Sequence, residues 1–495
     1  MLFNTLQFLI FFPIVVLVYF IIPSRLKQLW LLFSSYYFYM CWNAKYAILL
    51  LFSTAVTWTG GLLIEKINNG AKRNKNIKKL CVAGVFIINL AILFFFKYFN
   101  FAFESLKILL SIIHIELNVP VFDVMLPVGI SFYIFQALGY IIDVYRDEIY
   151  AEKNFFRYAL FISFFPQLVA GPIERSKNML KQLAIPAKMD VDNIRNGLLL
   201  MLWGFFLKIV VADRIAIFVD YIYGNIGDYG GMYIVVASIL FAFQIYCDFY
   251  GYSTIAMGTA RILGIHLMEN FAAPYFSLSI AEFWRRWHIS LSSWFKDYMY
   301  IPLGGNKKGK TRKYINKMLI FLASGLWHGA DITYIIWGGL NGLYQIIGEI
   351  FMPIRNKIVE IMHLDRASLS HKIFSVVITF ILVDFTWIFF RADGITQAVI
   401  AVKNMLTIHN PWVLFDGSLY ECGLDRKNFN LMLMSILVLA FADICKYKNI
   451  YVREVILRQE YWFRCVFYVI SVGTILLFGK WGPSFNASNF IYFQF

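Results

Sequence analysis

Apolar stretches about 17 to 25 residues long recur along the whole of this chain, beginning with LQFLIFFPIVVLVYFII at 6–22. A helix of that length crosses a hydrocarbon layer about 30 Å thick. Inside such a layer every backbone N–H and C=O must bond within its own segment, which a helix achieves. Candidate spans fall at 6–22, 29–42, 46–63, 80–98, 124–142, 197–223, 232–250, 318–330, 332–352, 373–390, 429–445 and 465–481. Segment 158–170 is apolar but short. Pro166 and Gly171 punctuate it, which predicts a re-entrant or tilted helix. The fold expected is all-α: one polytopic membrane domain over residues 1–495, with about 11–13 transmembrane or re-entrant helices.

Composition removes the competing classes. Hydrophobic residues make up 60% of the chain and charged ones 15%, where a soluble chain carries roughly a quarter. Nothing basic precedes the first stretch and no small-residue cleavage site follows it, so it reads as a retained span rather than a secretory signal. The six cysteines lie scattered without CxxC or Cys–His spacing, which gives neither a disulfide framework nor a metal site. A net charge of +15 then points to loops facing anionic membrane lipids, not to nucleic acid.

Those basic residues cluster. Segment 65–79 holds six against one acid, 306–317 six against none, and 446–464 five against two. Excess positive charge marks the cytoplasmic side. Four candidate spans separate each cluster from the next, so all three fall on that side and both termini are predicted outside.

SGLWHGADITYIIWG (324–338) carries the most informative side chain. His328 stands in the run 318–352, which has two acids, Asp331 and Glu349, and no Lys or Arg. Ten residues into a helix that starts near Met318, at about 1.5 Å per residue, it lies roughly 15 Å deep, near the membrane midplane. An ionisable group there is costly and points to function, although a histidine bonded to a neighbouring helix for packing is the plainer reading. Gly325 and Gly329 leave room for another chain or a ligand to approach. Asp331 is near enough on a helix to orient the imidazole. A neutral imidazole is the side chain best matched to taking a proton from a hydroxyl.

A second cluster, AEFWRRWHISLSSWFKDYMYIPLGGN (281–306), lies just before a basic segment. On a continuous helix Phe283, Trp287, Leu291 and Trp294 or Phe295 form one stripe, with Arg285, Arg286 and Ser292 elsewhere on the wheel. The pattern predicts a helix partly sunk into the cytoplasmic surface. It fits either a Trp–Arg interfacial anchor or a cationic mouth for a phosphate-bearing donor such as coenzyme A. His288, beside Trp287, is less well explained by anchoring. Gln136, Asp143, Gln167, Glu174, Arg175, Gln244 and Asp248 read as helix–helix hydrogen-bonding groups. His114, His266, His363, His371 and His409 read as incidental.

FWRRWHISLSSWFKDYMYIPLGGN, followed about forty residues later by GLWHG, resembles the membrane-bound O-acyltransferase (MBOAT) family. Within it the chain is similar to the bacterial branch that includes the membrane subunit of alginate O-acetylation. LPVGISFYIFQALGYIIDVYR, FFPQLVAGPIER, FQIYCDFYGYSTIAMG and the C-terminal FIYFQF extend the likeness over nearly the whole chain. The resemblance implies a ring of tilted helices with funnels from both faces, and a core motif region at 281–352. It implies that His328 is the catalytic histidine and His288 a second histidine nearby. It further implies a cytoplasmic acyl thioester donor, acetyl-CoA as a substrate rather than a bound cofactor, and an acceptor on the opposite face.

On that likeness Trp287 and Trp327 line a tunnel, while Arg285, Arg286 or Lys296 holds the donor's phosphates. A separate extracytoplasmic acetyltransferase then passes the group to a polysaccharide, and the chain sits in a bacterial plasma membrane. Two other functions compete. One is D-alanyl transfer to teichoic acid from a carrier-protein thioester. The other is a proton-coupled transporter using His328 and Asp331 as a relay, which expects inverted repeats that the sequence does not display.

Overall fold

The structure is a computed structural model and describes residues 1–69, 74–115, 125–481 and 491. Every regular element among them is helical, as expected. Part of the first basic cluster (70–73) and most of the FIYFQF motif lie outside the described residues. The chain divides into two compact units, Met1–Met201 with Ile255–Met268, and Leu202–Thr254 with Glu269–Phe495.

The first unit contains α1 (Leu6–Ile21), α2 (Ser24–Met40), α3 (Ala44–Asn69), α4 (Lys75–Leu93), α5 (Phe99–Ile112), α6 (Ile130–Tyr145), α7 (Phe155–Ser163), α8 (Phe165–Leu168), α9 (Ser176–Ala184) and most of α10 (Val191–Phe205). All of α6 except Ile142 and Tyr145 is buried, as suits a helix that is apolar on every side. Gly60 and Gly61 let its neighbours close in: a methyl added there would fall 2.5 Å from the Val85 side chain and 2.7 Å from the Tyr140 hydroxyl respectively. Buried polar groups bond from helix to helix. Ser53 donates to Asn89 at 2.6 Å, and Tyr158 to Thr57 at 2.8 Å.

Segment 158–170 forms two short buried helices, α7 and α8. Pro166 has no N–H to offer the carbonyl of Ile162, so one helix cannot run through. The Gln136 and Gln167 amides both donate to the Phe161 carbonyl, at 2.7 and 2.9 Å. Asp143 accepts from Ser176, and Glu174 from the Met268 N–H. These residues tie chain segments together, as their composition suggested.

The second unit contains α11 (Asp213–Gly224), most of α12 (Met232–Ile262), α13 (Ile280–Arg286), α14 (Ile289–Phe295), α15 (Gly309–His328), α16 (Ile332–Ile350), α17 (Met352–Ile361), α18 (Leu369–Arg391), α19 (Ile395–Thr407), α20 (Arg426–Tyr447), α21 (Val452–Leu457) and α22 (Tyr461–Phe478). A π-helical turn at Phe206–Ala212 joins α10 to α11 and carries Lys208. Its ammonium meets Asp213 at 2.8 Å and Asp248 at 2.5 Å, all three buried. Such a buried group holds only because each charge keeps a partner.

Six stretches among the described residues are long and apolar enough to cross a membrane: Ala44–Asn69, Lys75–Ile112, Met232–Ile262, Leu369–Arg391, Arg426–Tyr447 and Tyr461–Phe478. Leu6–Ile21 and Ile130–Tyr145 are shorter apolar helices. The protein is a multi-pass membrane protein.

The expected spans 318–330 and 332–352 are the two arms of one hairpin, α15 and α16. The basic segment expected as a loop at 306–317 is helical from Gly309 onward, where Lys and Arg are good helix formers and no proline intervenes. Met318–His328, about 16 Å of helix, is free of charge before the turn. α16 returns antiparallel, and near its end Glu349 pairs with Lys313 at 2.6 Å and with Lys317. Both ends of the hairpin therefore lie on its basic side.

Glycines zip the two arms together. A methyl on Gly325 would stand 2.2 Å from the Tyr334 carbonyl oxygen, and one on Gly338 would stand 2.2 Å from that of Phe321. Gly338→Ala should therefore cost about 1–3 kcal/mol by overpacking. Gly339→Ala, whose methyl meets only the Leu322 side chain at 3.7 Å, should be nearly neutral. Thermal unfolding of the two variants in detergent checks the contrast; equal melting temperatures would contradict backbone contact between the arms.

Candidate active site

The two histidine motifs meet inside the second unit, and each is positioned by an interruption of helix. α13 begins at a capped end: the Ser279 hydroxyl accepts the Glu282 N–H at 3.2 Å, and Glu282 accepts the N–H of Leu278, just before the cap, at 2.9 Å. It ends at Arg286. Trp287 is extended and His288 is left-handed, φ +43°, before α14 resumes. The continuous stripe expected through Trp287 is thus broken. One side of the segment is buried in protein, with Phe283, Trp287, His288 and Leu291 all inside, while Arg285 and Lys296 stay exposed.

The cause is a strap formed by residues 270–272. The Ile289 N–H donates to the Asn270 carbonyl at 3.0 Å, and the Ala272 N–H to that of Arg286 at 3.0 Å. The Asn270 side chain accepts the Ser290 N–H at 3.3 Å and donates to Ser253 at 2.7 Å. A through-going helix would forfeit these bonds. A left-handed residue with a side chain costs roughly 1–2 kcal/mol. His114 and His363 adopt the same conformation, but just past the ends of α5 and α17, where it merely closes a helix. At His288 it turns a fully buried imidazole toward a second one.

That second imidazole is His328, the last residue of α15 and 4% exposed. The two ring centroids lie 6.4 Å apart. Around His328 stand Trp327 at 4.9 Å, Trp337 at 5.1 Å and Phe390 at 5.4 Å; Phe249 lies 4.7 Å from His288. Trp287 belongs to the next layer, stacked on Phe283 at 5.4 Å and 5.1 Å from Trp387. The space that Gly325 and Gly329 leave beside His328 is filled by α16 itself, through the Tyr334 carbonyl and ring. Two imidazoles walled by indoles and phenyls can take and return a proton where water competes poorly.

The other residues singled out in the sequence separate into two groups. Arg285 and Lys296 are exposed. Arg286 is engaged: it pairs with Glu282 at 2.8 Å, donates to the Ala272 carbonyl at 3.0 Å and lies over the Tyr447 ring. Asp331 caps α16, accepting the Thr333 N–H at 2.8 Å. Gly329 ends α15 in an extended conformation, so Asp331 and His328 do not share a helix. Trp337, Trp387, Phe390 and Phe249 escaped the reading of the sequence. Trp387 and Phe390 stand three apart in FTWIFFR (385–391), a spacing that puts both on one helix face, but nothing local ties that face to His328.

Residues 38–383 match the family model of the membrane-bound O-acyltransferases, MBOAT. The chain is 35% identical to the probable alginate O-acetylase AlgI of Pseudomonas syringae pv. tomato over 449 residues, 90% of this chain and 81% of that one. It is 32% identical to the peptidoglycan O-acetyltransferase of Helicobacter pylori over 469 residues, 88% of this chain and 86% of that one. The teichoic acid D-alanyltransferase of Bacillus subtilis is 33% identical over 229 residues, 42% of this chain and 55% of that one.

The cap at Asp331 is testable by itself. Asp331→Asn keeps a side chain that caps well and should leave stability unchanged, while Asp331→Ala should cost about 1 kcal/mol, read as a lowered melting temperature. If the Asn variant loses as much as the Ala variant, the carboxylate charge has a use beyond the cap.

Proposed function

This chain belongs to the membrane-bound O-acyltransferase family, and from that membership we propose that it moves an acetyl group from a cytoplasmic thioester to a hydroxyl bound for an extracellular polysaccharide. It is an acyltransferase, and the observation that carries the finer reading is the buried His288 set against His328 at the tip of a hairpin whose base is basic. Relatives named for O-acetylation align over about nine-tenths of the chain, against less than half for those named for D-alanyl transfer. That difference favours acetyl over D-alanyl.

In this reading His328 is the general base. It takes the proton of the acceptor hydroxyl as the oxygen attacks the thioester carbonyl. His288 faces the same space and steadies the donor, and Trp327 walls the reaction off from water that would hydrolyse the thioester. Trp287 backs the wall one layer out. Arg285 and Lys296, both exposed, are the cations free to meet the phosphates of acetyl-CoA; Arg286 already serves Glu282. No Ser or Cys is assigned as a covalent nucleophile. A separate extracytoplasmic acetyltransferase receives the group and delivers it to the polymer. The chain sits in a bacterial plasma membrane with its basic segments inside and both termini outside.

The test is a reconstitution in liposomes with radiolabelled acetyl-CoA and a soluble hydroxyl acceptor. His328→Ala should lower turnover about 10²–10⁴-fold, the usual contribution of a general base. Reversing Arg285 and Lys296 together to Glu should raise the KM for acetyl-CoA about tenfold and leave kcat nearly alone, as expected for lost uniform binding. Acceptance of carrier-borne D-alanine with no use of acetyl-CoA would sink the acetyl reading.

A further inference from the structure

Trp337 is 1% exposed, and its Nε1–H finds no hydrogen-bond acceptor among the described residues. Buried donors without partners are costly and uncommon in folded proteins, and each calls for an explanation such as an absent ligand. Its neighbour Trp284 shows the ordinary solution: that indole, 5.5 Å away, donates to the Asn341 side chain at 3.2 Å. Asn341 also bonds the Trp337 carbonyl at 2.9 Å, so the helix around Trp337 is fully tied while its indole N–H is left over. Thr333, one turn earlier on the same face of α16, is equally buried, and its hydroxyl too has no partner. Two unused polar atoms thus lie along one face of α16, toward the turn that carries His328. The Trp337 ring centroid is 5.1 Å from the His328 ring, nearly perpendicular to it at 84°.

We propose that the Trp337 indole N–H donates a hydrogen bond to the acyl carbonyl oxygen while His328 handles the acceptor's proton. The inference rests on the acyl-transfer reading above. As the acceptor oxygen bonds to the carbonyl carbon, its proton passes to His328 and the C=O π pair moves onto the carbonyl oxygen. That oxyanion is the charge the Trp337 N–H faces. When the C=O re-forms, the C–S bond breaks, and the departing sulfur takes the proton back from His328. A donor fixed in place before the reaction stabilises charge that exists only at the transition state, which raises kcat without tightening substrate binding.

Trp337→Phe keeps an aromatic ring and removes the N–H. It should lower kcat with acetyl-CoA about 10²–10³-fold and leave KM nearly unchanged, while the void left by the smaller ring lowers the melting temperature. Replacement of Trp337 by 3-benzothienylalanine, which puts sulfur in place of the N–H at almost constant shape, should reproduce the kcat loss and covers the case where the Phe variant packs badly. Trp284→Phe is the contrast: it breaks the bond to Asn341, so it should lower the melting temperature and keep kcat within about threefold. Wild-type kcat in the benzothienyl protein, or a loss that appears in KM and melting temperature in place of kcat, would overturn the assignment of Trp337 alone. Failure of the wild-type protein to consume any acyl thioester would overturn the function and this inference together.

Discussion

Backbone contact between α15 and α16 governs where His328 stands. With glycine at 325 and 338, each helix runs a carbonyl oxygen into the space a side chain would take on the other. Two arms that close have little freedom to slide, and Glu349 fixes their base against Lys313 and Lys317. The turn at 329–331 then falls at a set height, and His328 is the final helical residue before it. Asp331 contributes by starting the second arm cleanly, not by touching the imidazole.

The rest of the second unit answers a problem the hairpin creates, which is to bury polar groups around it without stranding them. Asn270 alone makes bonds to Ser253, to Ser290 and through its carbonyl to Ile289, so one side chain and its peptide hold His288 in a conformation the backbone would not choose. On α12, adjacent residues divide the labour: Asp248 pairs with Lys208 in the π-helical turn while Phe249 packs against His288. The extra residue of a π turn widens the helix locally, a feature often found near functional sites, and here it accompanies the buried lysine. Lys446 completes the pattern by reaching the Phe271 carbonyl at 2.8 Å and Glu269 at 2.9 Å, next to the strap that fixes His288.

Much of this was legible in the chain, and the parts that were not fail for identifiable reasons. Span length and charge revealed the class and the helical fold, because hydrocarbon thickness leaves few alternatives. His328 and His288 stood out because an imidazole in apolar company is rarely neutral to function. The break at Trp287–His288 was hidden: local propensity favours one helix, and the bonds that defeat it come from Asn270, eighteen residues upstream of His288. The closeness of the two arms was hidden too, since nothing in 318–352 tells that Gly325 and Gly338 each meet backbone of the other helix. Arg286 was read as available because a sequence shows a cation but not the Glu282 and Ala272 groups that occupy it. The walls contributed by Phe249 and Phe390 arrive from helices distant in the chain, and no period within either helix announces them.

A hairpin that enters and leaves by the same side has no effect on sidedness. Every helix after α16 would keep its inside–outside orientation if residues between Gly309 and Ile350 were exchanged wholesale, since the number of crossings before and after is unchanged. The segment that carries His328 is in this sense a cartridge: a longer or shorter one would not oblige the surrounding helices to invert. A single span has no such liberty. Variation in reaching depth, and hence in the size of what the site admits, is therefore open to this fold at little topological cost.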